Sequence, residues 1–189
     1  MKYFLLLLIG LCQIASGNSN EIAIAKEGAP SHISDNASIL VWEKGRYIIK
    51  VKGSNEFLCF VSADKQGTFE PTCINEVARK AILPVYEFQR RMLEQKMDIM
   101  EIHNKISNKS KKGEFISPEP SAVVYMMSER NKFYDHFGRK LMTVEPHIML
   151  YIPKVEAGSL GFNGENGLPM FYSDFPHLSV IHVHTVGSH

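Results

Sequence analysis

Cys59 and Cys73 constrain this chain most, and the residues at its N-terminus decide what they do. Lys2 gives a positive start, Phe4 to Leu11 is an almost unbroken apolar run, and Ala15-Ser16-Gly17 supplies small residues for a cleavage site. That three-part layout is a secretory signal peptide over residues 1–17. Its apolar run is shorter than the roughly 20 residues of a spanning helix. Cleavage after Gly17 removes Cys12, and bulky Leu11 argues against lipid attachment there. Two cysteines remain, and in an oxidising compartment an even pair is most simply a disulfide. Closing a loop of about 15 residues is worth on the order of 3 kcal/mol in the chain-entropy model. The alternative, a redox or metal-binding pair, lacks CxxC spacing. The expectation is a secreted or periplasmic protein stapled at Cys59 and Cys73.

Removing 17 of the 189 residues leaves 172, enough for one domain. The 21 basic and 20 acidic side chains become 20 against 20 once Lys2 is gone, which argues against a charge-driven nucleic-acid role. No second apolar run approaches membrane length, so the processed chain is not expected to be an integral membrane protein.

Asn18 to Asn36 is polar and rich in small residues, and reads as a flexible N-terminal arm. The domain proper is expected over residues 37–186. Ser38 to Glu43 and Tyr47 to Lys52 flank Lys44-Gly45-Arg46 as a hairpin. Phe57 to Ser62 forms a third strand carrying Cys59, and Ala63 to Thr72 a loop ending near Cys73. From Pro84 to about His103, Val85, Phe88, Met92 and Ile99 recur at helical spacing, with Pro84 in the first turn. Residues 104–120 hold Lys105, Lys109, Lys111, Lys112, Gly113, Pro118 and Pro120, and read as a lysine-rich loop. Strands follow at Ser121 to Ser128, Lys132 to Phe137, Val144 to Ile152, Pro169 to Tyr172 and Leu178 to Val186, with a glycine-rich turn at Ala157 to Gly167. The expected fold is α+β: a mainly antiparallel sheet of about six or seven strands on one principal helix.

Five of the eight histidines fall in the last 43 residues: His147, His177, His182, His184 and His189. His182 and His184 are two apart, so on a strand they share one sheet face. A third imidazole from a neighbouring strand, His147, completes a zinc-type set with an open position. Glu145 or Asp174 then serves as base or ligand. The candidate catalytic residues are His147, His177 and Glu145; the candidate metal ligands are His147, His182 and His184. The competing reading is that these histidines are structural or solvent-facing, with no cofactor. The chain contains no GxSxG, HExxH or SxxK signature.

The spacing of several short motifs resembles a group of small exported bacterial proteins of unassigned function. These are Gly53-Ser54-Asn55-Glu56-Phe57 leading into Cys59, Pro71-Thr72-Cys73, and Val124-Tyr125-Met126-Met127. Pro146-His147-Ile148-Met149 with Pro153, Pro169-Met170-Phe171 and Phe175-Pro176-His177 complete the set. The resemblance implies a shared fold, export and a repeated Pro-His theme, and carries no reaction. The chain departs from the group in its lysine-rich segment and in His182 and His184.

Two functions follow as expectations. One is a small exported binding or envelope-associated protein whose partner is a small molecule or a cell-envelope component. The other is a small exported hydrolytic enzyme using the C-terminal histidines, with zinc or a similar metal. The two differ in whether His147 meets His177, or His182 and His184, in one concave pocket.

Overall fold

The computed structural model describes residues 14–63, 67–134, 140–162, 169–173 and 175–184. Both the α and the β content are present, but the sheet is larger and less uniform than expected, with ten strands among the described residues. β1 (Ser38–Glu43) and β2 (Arg46–Val51) form the expected hairpin. Lys44 and Gly45 both have positive φ, the two-residue turn whose twist suits a hairpin. β3 (Phe57–Ala63) then returns beside β1 in parallel, which makes the sheet mixed. The return needs Gly53: a Cβ there would lie 2.3 Å from the Ala37 carbonyl carbon.

β4 (Phe69–Asn75) takes the last four residues of the segment expected as a loop, and pairs with β3 so that Cys59 stands opposite Cys73. Their Cα atoms are 4.1 Å apart and the two sulfurs are bonded. That separation marks a non-hydrogen-bonded pair of an antiparallel ladder. Two steps along, Val61 and Pro71 are a pair of the same kind, so the missing N–H of Pro71 takes no bond from β3. On its other edge β4 meets β5 (Ala122–Met126) at Cys73 and Ile74, and β6 (Lys132–Tyr134) at Phe69. Pro71 falls in the gap between them.

β6 pairs with β7 (Leu141–Thr143). β8 (His147–Pro153), β9 (Met170–Tyr172) and β10 (Leu178–His184) complete the path β2-β1-β3-β4-β5-β8-β10-β9. Ala157–Leu160 is one turn of 3-10 helix; the rest of the glycine-rich segment, from residue 163, lies outside the described residues.

The single principal helix is replaced by five α-helices among the described residues. α1 (Ile14–Lys26) and the short α2 (Ser31–Ser34) occupy the segment expected as a flexible arm. The arm is packed because its small residues let it lie close: Ala25 and Ala29 join Ile39, Cys59, Val61 and Cys73 in a buried cluster. Gly28 meets the Thr72 backbone where a Cβ would sit at 2.7 Å, and its carbonyl accepts from the Met127 N–H. These contacts all lie beyond Gly17. Ile14 to Gly17 begin α1, and the rest of the expected signal segment is outside the described residues.

α3 (Glu76–Ala81) is capped by the Asn75 side chain, which accepts from the Ala78 N–H at 2.9 Å. α4 (Leu83–Glu94) carries Pro84 in its first turn, as expected, but stops at Gln95. Lys96 takes φ 60°, and Asp98 caps a new helix, α5 (Ile99–Lys111), by accepting from the N–H groups of Met100 and Glu101. The lysine-rich segment 104–120 is therefore helical through Lys111. Ile102 and Ile106 bury one stripe of α5 against Phe88 and Leu93 of α4. Lys105 pairs with Glu101 at 3.3 Å, and Lys109 pairs with Glu114.

α1 thus covers one face of the sheet and α3 and α4 the other, where Leu40, Phe60, Ile74 and Val124 form the main core with Ala78, Ala81 and Tyr86. Among the described residues, no helix is long and apolar enough to cross a membrane.

Candidate functional site

The α3–α4 side of the sheet is where the histidines meet. β8 and β10 pair antiparallel with His147 opposite His184 and Met149 opposite His182. Side chains alternate across a strand, so His147, His182 and His184 share one face. The ring centroids are 4.0 Å apart for His147 and His182, 4.7 Å for His182 and His184, and 6.2 Å for His147 and His184. The period-two reading of His-x-His therefore brings all three rings together.

The face is concave. Between it and helices α4 and α5 lies a cleft of about 450 Å³. Tyr86 and Gln89 of α4 and His103, Asn104 and Ser107 of α5 form one wall. Met126, His147, Met149, Tyr151, Val180 and His182 form the sheet side, and Thr68, Glu70, Phe133, Tyr134, Tyr172 and Phe175 close the rim. This composition, aromatic and apolar with a few placed polar groups, suits a small-molecule site.

Burial sets the chemistry of the imidazoles. His147 is buried, and its Nδ1 lies 2.6 Å from the Glu145 carbonyl oxygen. A carbonyl can only accept, so Nδ1 carries the proton and Nε2 keeps its lone pair. Burial lowers the His147 pKa, partly opposed by this bond. His182 is 5 % exposed, and neither ring nitrogen has a partner. Burial, then the neighbouring His147 and His184, push its pKa down to about 3, so the ring is neutral at pH 7. Phe133 and Tyr172 stand edge-on or tilted against the pair, at 6.4 Å from His147 and 5.9 Å from His182.

The described residues lining the cleft include no lysine or arginine, and Glu70 is its carboxylate, itself buried. Burial raises Tyr86 and Tyr151 well above the ordinary phenol value, and the Glu70 charge adds to this. Both phenols stay protonated.

The other candidates lie apart. His177 is buried against Phe115 and Phe175 and lines a smaller neighbouring cavity of about 120 Å³. Burial lowers its pKa. Glu145 is exposed and reaches His147 through its backbone carbonyl. Asp174 and His189 lie outside the described residues. Among the described residues, no group of three or more His, Cys, Asp or Glu side chains is arranged to hold a metal ion, so the expected zinc-type set of His147, His182 and His184 is gathered but not formed. Cys59 and Cys73 are joined in the disulfide, so neither offers a thiolate.

Glu70, Tyr86 and Tyr151 are site residues that sequence reasoning missed. Pro71 beside Glu70 hid β4, and a tyrosine in an apolar stripe looks like any core residue. Compared with protein-family models, curated proteins and solved structures, the chain matches none of them.

Proposed function

We propose that this chain is an exported binding protein whose cleft takes an uncharged or cationic small molecule with an aromatic or apolar body. The observation that supports it is His182: a buried imidazole, both nitrogens unpartnered, facing a cleft of about 450 Å³. A buried polar group left without a partner costs about 1–3 kcal/mol. A bound molecule that hydrogen-bonds the ring recovers that cost. Tyr86, Tyr151, Phe133 and Phe175 offer ring faces and edges to an aromatic or cationic body. An anion gains little from the neutral imidazoles of His147 and His182 and the Glu70 carboxylate, with no lysine or arginine among the described lining residues. A soluble metabolite and a cell-envelope component share this chemistry as ligand sources.

The test uses two fluorescent probes of similar size, neutral N-phenyl-1-naphthylamine and its sulfonated analogue. Saturable 1:1 uptake of the neutral probe, weaker uptake of the anion, and loss of both in the cleft-filling variant Ser107→Trp are expected. Uptake unchanged in Ser107→Trp contradicts the reading.

A further inference from the structure

The geometry points to a soft-metal site at the floor of the cleft, in which His147 and His182, flanked by the thioethers of Met126 and Met149, take a monovalent copper ion. Strand register carries the argument. Met126 on β5 stands opposite His147 on β8, and Met149 on β8 stands opposite His182 on β10. On the far side of His182, β9 places Met170 opposite it. Directly opposed side chains on one face have Cβ atoms about 4.5–5.5 Å apart, within reach for long thioethers. The register thus places a methionine directly opposite each buried imidazole.

The nitrogens are prepared for an ion. A ligating imidazole typically donates its other N–H to a carbonyl or carboxylate, which fixes the tautomer and raises the basicity of the ligating nitrogen. His147 makes that bond, through Nδ1 to the Glu145 carbonyl at 2.6 Å. His182 has no partner on either nitrogen, so one is free to ligate. Rings sharing one ion, with nitrogens about 2.0–2.1 Å from it, have centroids ~5 Å apart. The 4.0 Å between the His147 and His182 rings has to open by about 1 Å to reach that.

The ligand types choose the ion. Zinc asks for a tetrahedral set of thiolate, imidazole or carboxylate. Among the described residues no three such side chains are so arranged, and Cys59 and Cys73 are locked in the disulfide. Thioether with imidazole suits Cu(I), which accepts as few as two ligands. The phenols of Tyr151 and Tyr172 donate to Met149 Sδ at 3.6 Å and Met170 Sδ at 3.3 Å, which orients these sulfurs and leaves each a second lone pair. This inference goes beyond the small-molecule reading and shares with it the cleft and the unpartnered His182 ring.

The experiment is anaerobic competition for Cu(I) against bicinchoninate. It uses protein lacking residues 1–17, purified without a polyhistidine tag and with its disulfide intact. One equivalent of Cu(I) bound, with Zn(II) held at least about 100-fold more weakly, is expected. Met149→Leu and Met126→Leu each weaken Cu(I) on the order of tenfold. They leave the thermal midpoint of the metal-free protein close to wild type, which separates lost ligation from misfolding. Absence of stoichiometric Cu(I), Zn(II) bound as tightly, or both methionine variants at wild-type affinity overturns the site. Neutral-probe uptake without Cu(I) binding overturns this inference alone; Cu(I) binding without probe uptake overturns the small-molecule reading alone.

Discussion

His147 and His182 meet edge to face, ring centroids 4.0 Å apart, although they are 35 positions apart in the chain and neither is opposite the other in the ladder. They are diagonal neighbours: β8 and β10 pair His147 with His184, and the period of two returns His182 to the same face. A buried pair of neutral imidazoles is a poor core element. It packs no better than leucine and carries nitrogens that want partners.

The first prediction concerns pH. Folding lowers the pKa of His147, His177 and His182, the last to about 3. The unfolded chain therefore binds more protons than the native one below the ordinary imidazole value of about 6.5. The stability contribution is full above that value and is lost as pH falls towards about 3 for His182. Each ring supplies at most about 1.4 kcal/mol per pH unit across its window. Urea unfolding of the metal-free protein at pH 7, 6 and 5 should show this decline; a flat profile contradicts the burial of these rings.

The second concerns the disulfide. Cys59→Ala with Cys73→Ala should destabilise the chain by about 3 kcal/mol. Wild type in reductant should unfold at about the same urea concentration as that double variant. Protein lacking residues 1–17 should show no titratable thiol before reduction; two thiols would refute the staple.

A glycine pair makes the third. A Cβ at Gly53 would lie 2.3–2.4 Å from backbone atoms of Asn36, Ala37 and Ser38, whereas at Gly158 nothing lies within 4 Å. Gly53→Ala should cost about 3 kcal/mol or more, because backbone must move. Gly158→Ala should fall within about 0.5 kcal/mol of wild type. Equal effects in chemical denaturation would remove the close approach that turns β3 beside β1.

The packed arm makes the fourth. Ala25 is fully buried against the β3–β4 face, while Ala23, two residues earlier on α1, is exposed. Ala25→Leu should cost about 1–3 kcal/mol by overpacking, and Ala23→Leu close to nothing. A loose arm would be indifferent to both.

How much of this was legible in the sequence follows from how local each signal is. The β1–β2 hairpin, β3, β8 and β10 show as β-branched runs between turn residues, and α4 as a stripe behind Pro84. β4 was hidden by Glu70 and by Pro71, which is tolerated because it falls in the gap between β5 and β6. α1 was hidden because alanine and glycine, its means of close packing, also typify linkers. The start of α5 lay inside the single expected helix, since Asp98 reads as a cap only once Lys96 has broken α4. At the site, His182 and His184 could be placed on one face by counting. That His147 joins them, with Met126 and Met149 alongside, depends on β8 pairing with both β5 and β10, a long-range register that no local pattern encodes.

The most direct test of the account is the stability of His182→Leu, measured by urea unfolding at pH 7 in metal-free protein. Leucine fills a similar volume and removes two buried nitrogens without partners. If His182 is kept for a ligand, the variant should be more stable than wild type by about 1 kcal/mol, with part of the acid-side decline gone, and should no longer bind in the cleft. Destabilisation by about 1 kcal/mol or more, with binding retained, would show instead that the imidazole serves the fold.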